Sequence, residues 1–228
     1  MRIGGLVKTS FTDYPGKISA VIFTAGCNFD CWYCHNRRLL TTAEELDKAE
    51  ILDFLRKRKG KLDAVVFSGG EACMQDGLCG MIAEVKSMGY LVKLDTNGSY
   101  PQALSELLDK KLLDFVAMDV KAPFGKYKTM LDIGQDITAL QESVRLIMEH
   151  APDYEFRTTC FPGIKVSHIR KIAKEIKGAK SYALQRYRHD GGNERQAAVK
   201  YTPRKKRFFD AAAKAAKKYV GNVITRGL

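Results

Sequence analysis

Three cysteines fall within eight positions of the stretch "GCNFDCWYCHN" (26–36), at Cys27, Cys31 and Cys34, and no fourth follows nearby. Spacings of i, i+4 and i+7 let a compact loop turn three thiolates toward one centre. Thiolates suit zinc and iron–sulfur clusters. Structural zinc takes four ligands, often as two CxxC knuckles, and here the second knuckle is missing. Catalytic zinc with three protein ligands tends to include histidine; His35 adjoins Cys34, but adjacent residues seldom ligate one ion together. A [4Fe–4S] cluster on three cysteines leaves one iron open to another ligand. The spacing therefore favours a cluster over zinc, with plain buried thiols third.

These residues need elements to position them. Short apolar, β-branched runs at 18–25, 62–68, 90–96, 113–120, 154–161 and 181–187 read as strands. Helical periodicity lies between them. Leu78, Met81, Ile82, Val85 and Met88 recur at three and four residues, as do Ile137, Leu140, Val144 and Ile147, and Ile169, Ile172 and Ile176. An alanine-rich helix over 208–220 closes the pattern. Six strands alternating with helices predict an α/β fold with a parallel sheet and right-handed crossovers. The unusual polar groups decide its form. The cysteine stretch follows the first strand, "SGGE" (68–71) the second, "DTNG" (95–98) the third and "DVKAP" (119–123) the fourth. "PG" (162–163) follows the fifth, and Gln185 lies late in the sixth. Polar groups at the carboxyl ends of six strands favour a partial (β/α)6 TIM-like barrel, whose rim carries the site, over an open sheet with one switch-point crevice. A single domain is expected over 1–228, with a cluster loop at 26–37 and a basic C-terminal loop and helix over about 188–228.

The CxxxCxxC pattern, with Tyr33 before its third cysteine, resembles the radical S-adenosylmethionine (SAM) enzymes. The longer string "DYPGKISAVIFTAGCNFDCWYCHN" resembles the activating enzymes of glycyl-radical proteins. Within them it is most similar to the longer-form activating proteins of anaerobic ribonucleoside-triphosphate reductase, with the pyruvate formate-lyase activating enzymes close behind. The resemblance implies the radical SAM fold, and a [4Fe–4S] cluster on Cys27, Cys31 and Cys34 whose open iron is chelated by S-adenosylmethionine. It implies cofactor-binding roles for Tyr33, Gly69, Gly70, Glu71, Asp95, Asn97, Lys121, Arg157 and Gln185. It also implies a monovalent cation held by Asp95, Thr96 and Asp119. His35 and Asn36 line the cluster loop on the same grounds. No residue is assigned as an acid or base. The implied activity is abstraction of a glycine α-hydrogen from a partner glycyl-radical enzyme by a 5′-deoxyadenosyl radical, with flavodoxin or ferredoxin as electron donor.

Each motif also has a plainer reading. Gly69–Gly70–Glu71 alone is a strand-ending turn, "DTNG" and "MDVK" are turn chemistry and a surface ion pair, and Arg157 pairs with a carboxylate across the barrel. Cys73, Cys79 and Cys160 lack compact ligand spacing and read as inert thiols. His150, His168 and His189 read as surface or helix-end residues. Two further function classes stay open: a radical SAM enzyme acting on a small molecule, and a non-catalytic zinc or redox module.

Composition sets the outer bounds. The 228 residues are 45% hydrophobic and 28% charged, as in ordinary globular proteins. No apolar run of membrane-spanning length occurs, and the N-terminus lacks the apolar core of a secretory signal, so a cytoplasmic chain without membrane contacts is expected. The net charge of +12 is uneven. Residues 165–228 carry 18 basic and 4 acidic side chains, against 20 and 22 in residues 1–164. Such a patch steers acidic partners or is a solvated helix face. No recognised nucleic-acid motif accompanies it, so a nucleic-acid partner is not expected.

Overall fold

In the computed structural model, residues 1–41, 45–134, 136–188 and 204–228 are described. Eight strands form one sheet in chain order: β1 (Ile3–Ser10), β2 (Ser19–Thr24), β3 (Ala64–Gly69), β4 (Leu91–Thr96), β5 (Phe115–Asp119), β6 (Tyr154–Cys160), β7 (Ser181–Arg186) and β8 (Asn222–Arg226). Strands β2 to β8 are parallel, and β1 pairs antiparallel with β2. The order never reverses. A doubly wound sheet would reverse at its switch point, so this is the singly wound, barrel-like arrangement. Among the described residues no pairing joins β1 to β8, so the sheet itself does not close.

The helices are α1 (Arg38–Thr41), α2 (Lys48–Lys57), α3 (Leu78–Ser87), α4 (Pro101–Asp109), α5 (Tyr127–Leu131), α6 (Ile137–His150), α7 (Val166–Glu175) and α8 (Lys206–Ala216). Their starts are local chemistry. Asp47 accepts the Ala49 N–H ahead of α2, Asp136 accepts the Thr138 N–H ahead of α6, and Pro101 opens α4. The strands' period of two separates two layers. Val65, Phe67, Val92, Leu94, Val116 and Met118 belong to the main core with Met81, Ile82 and Leu140 of the helices, whereas Val21, Ala64, Val66, Phe115 and Ala117 form a smaller cluster with Tyr14. The next positions on the smaller cluster's side, Ser68, Asp95 and Asp119, are polar and line a cavity. The alternation thus gives the barrel an apolar floor and a polar upper interior.

Two strands extend the six-strand expectation. "IGGLVKTS" of β1 has two glycines and a half-exposed side-chain pattern, so it carries no strong alternation; "NVITR" of β8 is only five residues. The final helix begins earlier and ends sooner than 208–220, because Gly221 and the β8 pairing take over its end. No helix among the described residues is long and apolar enough to cross a membrane. His189 and most of the basic loop lie outside the described residues. Lys205, Lys206, Arg207, Lys214, Lys217 and Lys218 are all exposed, as a solvated face requires.

Candidate active site

A cavity of about 850 Å³ opens at the carboxyl ends of the strands, in the size range of small-molecule sites. Cys27, Cys31 and Cys34 all line it, together with Tyr33, His35 and Asn36. The loop carrying them is pinned at several points. The Gly26 N–H donates to the Leu39 carbonyl at 2.7 Å, the Ala25 N–H to the Arg2 carbonyl at 3.0 Å, and the Cys34 N–H to the Cys31 carbonyl at 3.0 Å. Two donors address the Cys27 sulfur: the Phe29 N–H at 3.4 Å and the Asn97 amide at 3.8 Å.

Burial pushes these thiols up, Cys27 to about 11, Cys31 to about 12 and Cys34 in the same direction, while the Lys121 ammonium pulls all three back. Metal binding at such thiols displaces their protons. Among the described residues no three His, Cys, Asp or Glu side chains converge closely enough to hold a single metal ion. A four-iron cluster spreads its ligand sulfurs more widely than one zinc does. Three thiols on one cavity wall are the donor set that a cluster with one open iron uses.

The "SGGE" turn packs directly against that loop. The Gly70 N–H donates to the Thr24 carbonyl and the Glu71 N–H to the Gly26 carbonyl, both at 3.0 Å. A Cβ on Gly70 would sit 1.8 Å from the Gly26 carbonyl oxygen, and one on Gly69 2.4 Å from the Thr24 nitrogen at a φ of +115°. The two glycines, expected to let backbone approach a ligand, first of all let two backbones approach each other. Both still line the cavity.

Glu71 is fully buried. It accepts from the Thr96 hydroxyl at 2.7 Å, the Asn97 N–H at 2.7 Å and the Cys73 N–H at 3.0 Å. Burial raises its carboxyl above the ordinary value, although these three donors pull it down. Glu71 thus ties the β3 turn to the "DTNG" turn. The Asn97 amide donates in turn to Asn28 of the cysteine loop at 3.0 Å. Glu71 is not among the residues lining the cavity, whereas Asn97 is.

The cavity floor is an ion-pair ladder. Arg157 donates from Nε to Asp119 at 2.8 Å and pairs through an outer nitrogen with Asp95 at 3.2 Å. Lys121 pairs with the other Asp119 oxygen at 3.0 Å, the Lys93 ammonium contacts the same Asp95 oxygen as Arg157, and Ser68 donates to the second Asp95 oxygen at 2.9 Å. Burial alone would raise both carboxyls. The charges of Arg157 and Lys93 at Asp95, and of Arg157 and Lys121 at Asp119, outweigh it and hold both below the usual range. Arg157 therefore makes the cross-barrel pairs of its plainer reading while also lining the cavity.

The other expected residues are placed as follows. Tyr33 lines the cavity, stacks on Phe161 at 4.5 Å between ring centroids, and buries a hydroxyl that has no hydrogen-bond partner among the described residues. Gln185 lines the cavity in register with Thr159 on one side and Arg226 on the other. Thr96 joins the cluster, but its hydroxyl donates to Glu71 and accepts the Gly98 N–H at 3.0 Å. Cys73, Cys79 and Cys160 lie apart, on the turn after β3, on α3 and in β6. His168 accepts the Lys165 N–H at the start of α7, and His150 sits at the end of α6.

Among the cavity residues that the sequence motifs do not mark are Lys93, Glu155 and Arg226. Arg226 donates two hydrogen bonds of 2.7 Å to the two oxygens of Glu155. A signal was present, since "YLVKLDT" and "YEFRTTCF" each place a charge in mid-strand, where a parallel sheet is otherwise apolar.

A fold of this topology with a three-cysteine loop at the barrel rim defines a class, and the family comparison agrees: residues 21–176 match the radical SAM superfamily, and the chain belongs to it. It is a radical SAM enzyme, and membership implies a [4Fe–4S] cluster and S-adenosylmethionine. More particularly, the chain is 35% identical over 236 residues to a Methanocaldococcus jannaschii protein named as a glycyl-radical enzyme activating enzyme, covering 98% of this chain and 95% of that one. It is 34% identical over 127 residues to the pyruvate formate-lyase-activating enzyme of Clostridium pasteurianum, covering 53% of this chain and 52% of that protein. Among solved structures, Streptococcus suis SuiB bound to S-adenosylmethionine superposes with a TM-score of 0.69 at 15% identity, over 91% of this chain and 50% of that one. That likeness concerns the fold.

Proposed function

We propose that this chain activates a glycyl-radical enzyme, abstracting the α-hydrogen of one glycine in that partner, and that the partner is an anaerobic ribonucleoside-triphosphate reductase. The carrying observation is that Cys27, Cys31 and Cys34 open onto the same cavity as Gly69, Gly70, Asp95, Asn97, Lys121, Arg157 and Gln185. The near full-length likeness to a protein named as such an activating enzyme supports the partner class. The string "KTSFTDYPGKISAVIF" (8–23), by its resemblance, supports the reductase among the possible partners.

In this reading Cys27, Cys31 and Cys34 hold the cluster. When bound, the cluster and S-adenosylmethionine supply one-electron, hydrogen-abstracting chemistry. The chain's own groups bind, orient and shield. Gly69 and Gly70 offer backbone at the cavity wall. The orphaned Tyr33 hydroxyl awaits a polar partner of the kind an adenosine moiety provides. Lys121 and Arg157 carry positive charge toward a ligand carboxylate. Gln185 lines the cavity from β7, while the Asn97 amide holds the cysteine loop through Asn28 and the Cys27 sulfur. Flavodoxin or ferredoxin serves as the electron donor.

The test is to incubate the anaerobically reconstituted protein with reductant, S-adenosylmethionine and the candidate reductase. The expected result is a glycyl-radical doublet in the electron paramagnetic resonance spectrum of the reductase. Cleavage of S-adenosylmethionine without that doublet would return the small-molecule reading to the front.

A further inference from the structure

We propose that Lys93 is the built-in counter-ion of this site: its buried ammonium, with Arg157 and Lys121, neutralises Asp95 and Asp119, so that no monovalent metal ion is needed there. The inference rests on the reading of the cavity as the S-adenosylmethionine site and concerns how that site balances its charge.

The donors expected to hold a cation are Asp95, Thr96 and Asp119, and each of their side-chain oxygens is already engaged. One Asp95 oxygen receives Lys93 and Arg157, and the other receives the Ser68 hydroxyl. One Asp119 oxygen receives Arg157 Nε, and the other receives Lys121. The Thr96 hydroxyl gives its proton to Glu71 and accepts from Gly98. A metal ion would have to displace several of these donors and enter beside two or three cations. The charge count agrees. Immediately around Asp95 and Asp119, two carboxylates meet three cations, Lys93, Lys121 and Arg157.

Lys93 is the unusual member. It sits in mid-strand in β4, in register with Phe115, and its side chain is only 3% exposed. Its ammonium reaches Asp95 and lies 6.0 Å from the centroid of the Phe115 ring. Among the described residues it has no other ion-pair partner. A buried lysine is costly unless it is paired, and its position beneath Asp95 makes charge compensation the role that accounts for it. Arg157 alone spans both carboxylates at 2.8 and 3.2 Å, and cannot balance two charges with one.

The experiment compares the wild type with Lys93→Met and Lys93→Arg at constant ionic strength in potassium, sodium or tetramethylammonium chloride. Two quantities are read: the thermal midpoint of the cluster-free protein, and S-adenosylmethionine binding to the reconstituted protein. For the wild type, the expectation is the same midpoint and the same affinity in all three salts. Lys93→Met in tetramethylammonium is expected to melt about 3 °C lower than in potassium or sodium, and to bind S-adenosylmethionine about tenfold more weakly there. Lys93→Arg should behave as the wild type.

A wild type that loses about tenfold in affinity, or several degrees in midpoint, when metal ions are replaced by tetramethylammonium overturns the inference without any variant being needed. So does a Lys93→Met protein whose defect neither potassium nor sodium restores, because Lys93 is then a packing group. Failure of the wild type to bind S-adenosylmethionine in every salt would instead overturn the reading of the cavity. The midpoints of the cluster-free protein would still decide the role of Lys93.

Discussion

The molecule holds two sets of three cysteines in two kinds of place, and burial does not separate them. Cys31 in the rim loop and Cys160 in the barrel wall are both buried thiols, and burial pushes each up to about 12. Cys73, also buried, is pushed well above the ordinary thiol value, largely by the same cause. What differs is convergence. The loop thiols share one cavity wall, near Lys121 and within reach of N–H donors at Cys27. Cys73, Cys79 and Cys160 sit on three separate elements, the turn after β3, α3 and β6. A perturbed thiol is therefore not a sign of a metal site; a shared wall with charge and donors around it is.

Six single alanine variants, one per cysteine, should break this comparison most plainly if it is wrong. After anaerobic reconstitution, iron per chain is expected to fall to near zero for the three loop positions and to stay at the wild-type level for Cys73, Cys79 and Cys160. Gly70→Ala comes next. Its new Cβ would meet the Gly26 carbonyl, so it should cost about 3 kcal/mol of stability in denaturant titration and lower iron uptake as well.

Glu71→Ala frees two buried N–H groups and the Thr96 hydroxyl, at a cost on the order of 2–3 kcal/mol; Glu71→Gln should recover part of it. Cys160→Ala removes only buried volume, about 1 kcal/mol, with no change in bound iron. The smallest effect belongs to the exposed basic face. Reversing Lys205, Lys206 and Arg207 to glutamate should change stability by less than about 0.5 kcal/mol. It should nonetheless weaken activation of an acidic partner, which a titration of partner radical against enzyme would measure.

The barrel was legible because each of six strands ended on an odd polar motif, and those motifs could share a site only at one rim. The three loop cysteines were legible from spacing alone. Three things were hidden. Strand β1 pairs antiparallel and is half exposed, and β8 is short, so neither carries a periodic apolar signal. The roles of Gly69, Gly70 and Glu71 were visible as a motif but not in their physical sense. Nothing in four letters says that the glycines clear space for a neighbouring loop, or that Glu71 is a tether between two turns. The mid-strand charges of Lys93 and Glu155 are visible in the sequence, but the partners of Lys93, Glu155 and Arg226 depend on register across strands, which a linear sequence does not display.

The most direct measurement takes anaerobically purified and reconstituted protein, reduces it with dithionite, and quantifies 5′-deoxyadenosine released from S-adenosylmethionine, with Cys31→Ala alongside. About four irons per chain with release in the wild type, and neither in the variant, is the predicted result. Zinc in place of iron, or release that survives loss of Cys31, would contradict the assignment of the three-cysteine cavity as the radical SAM site.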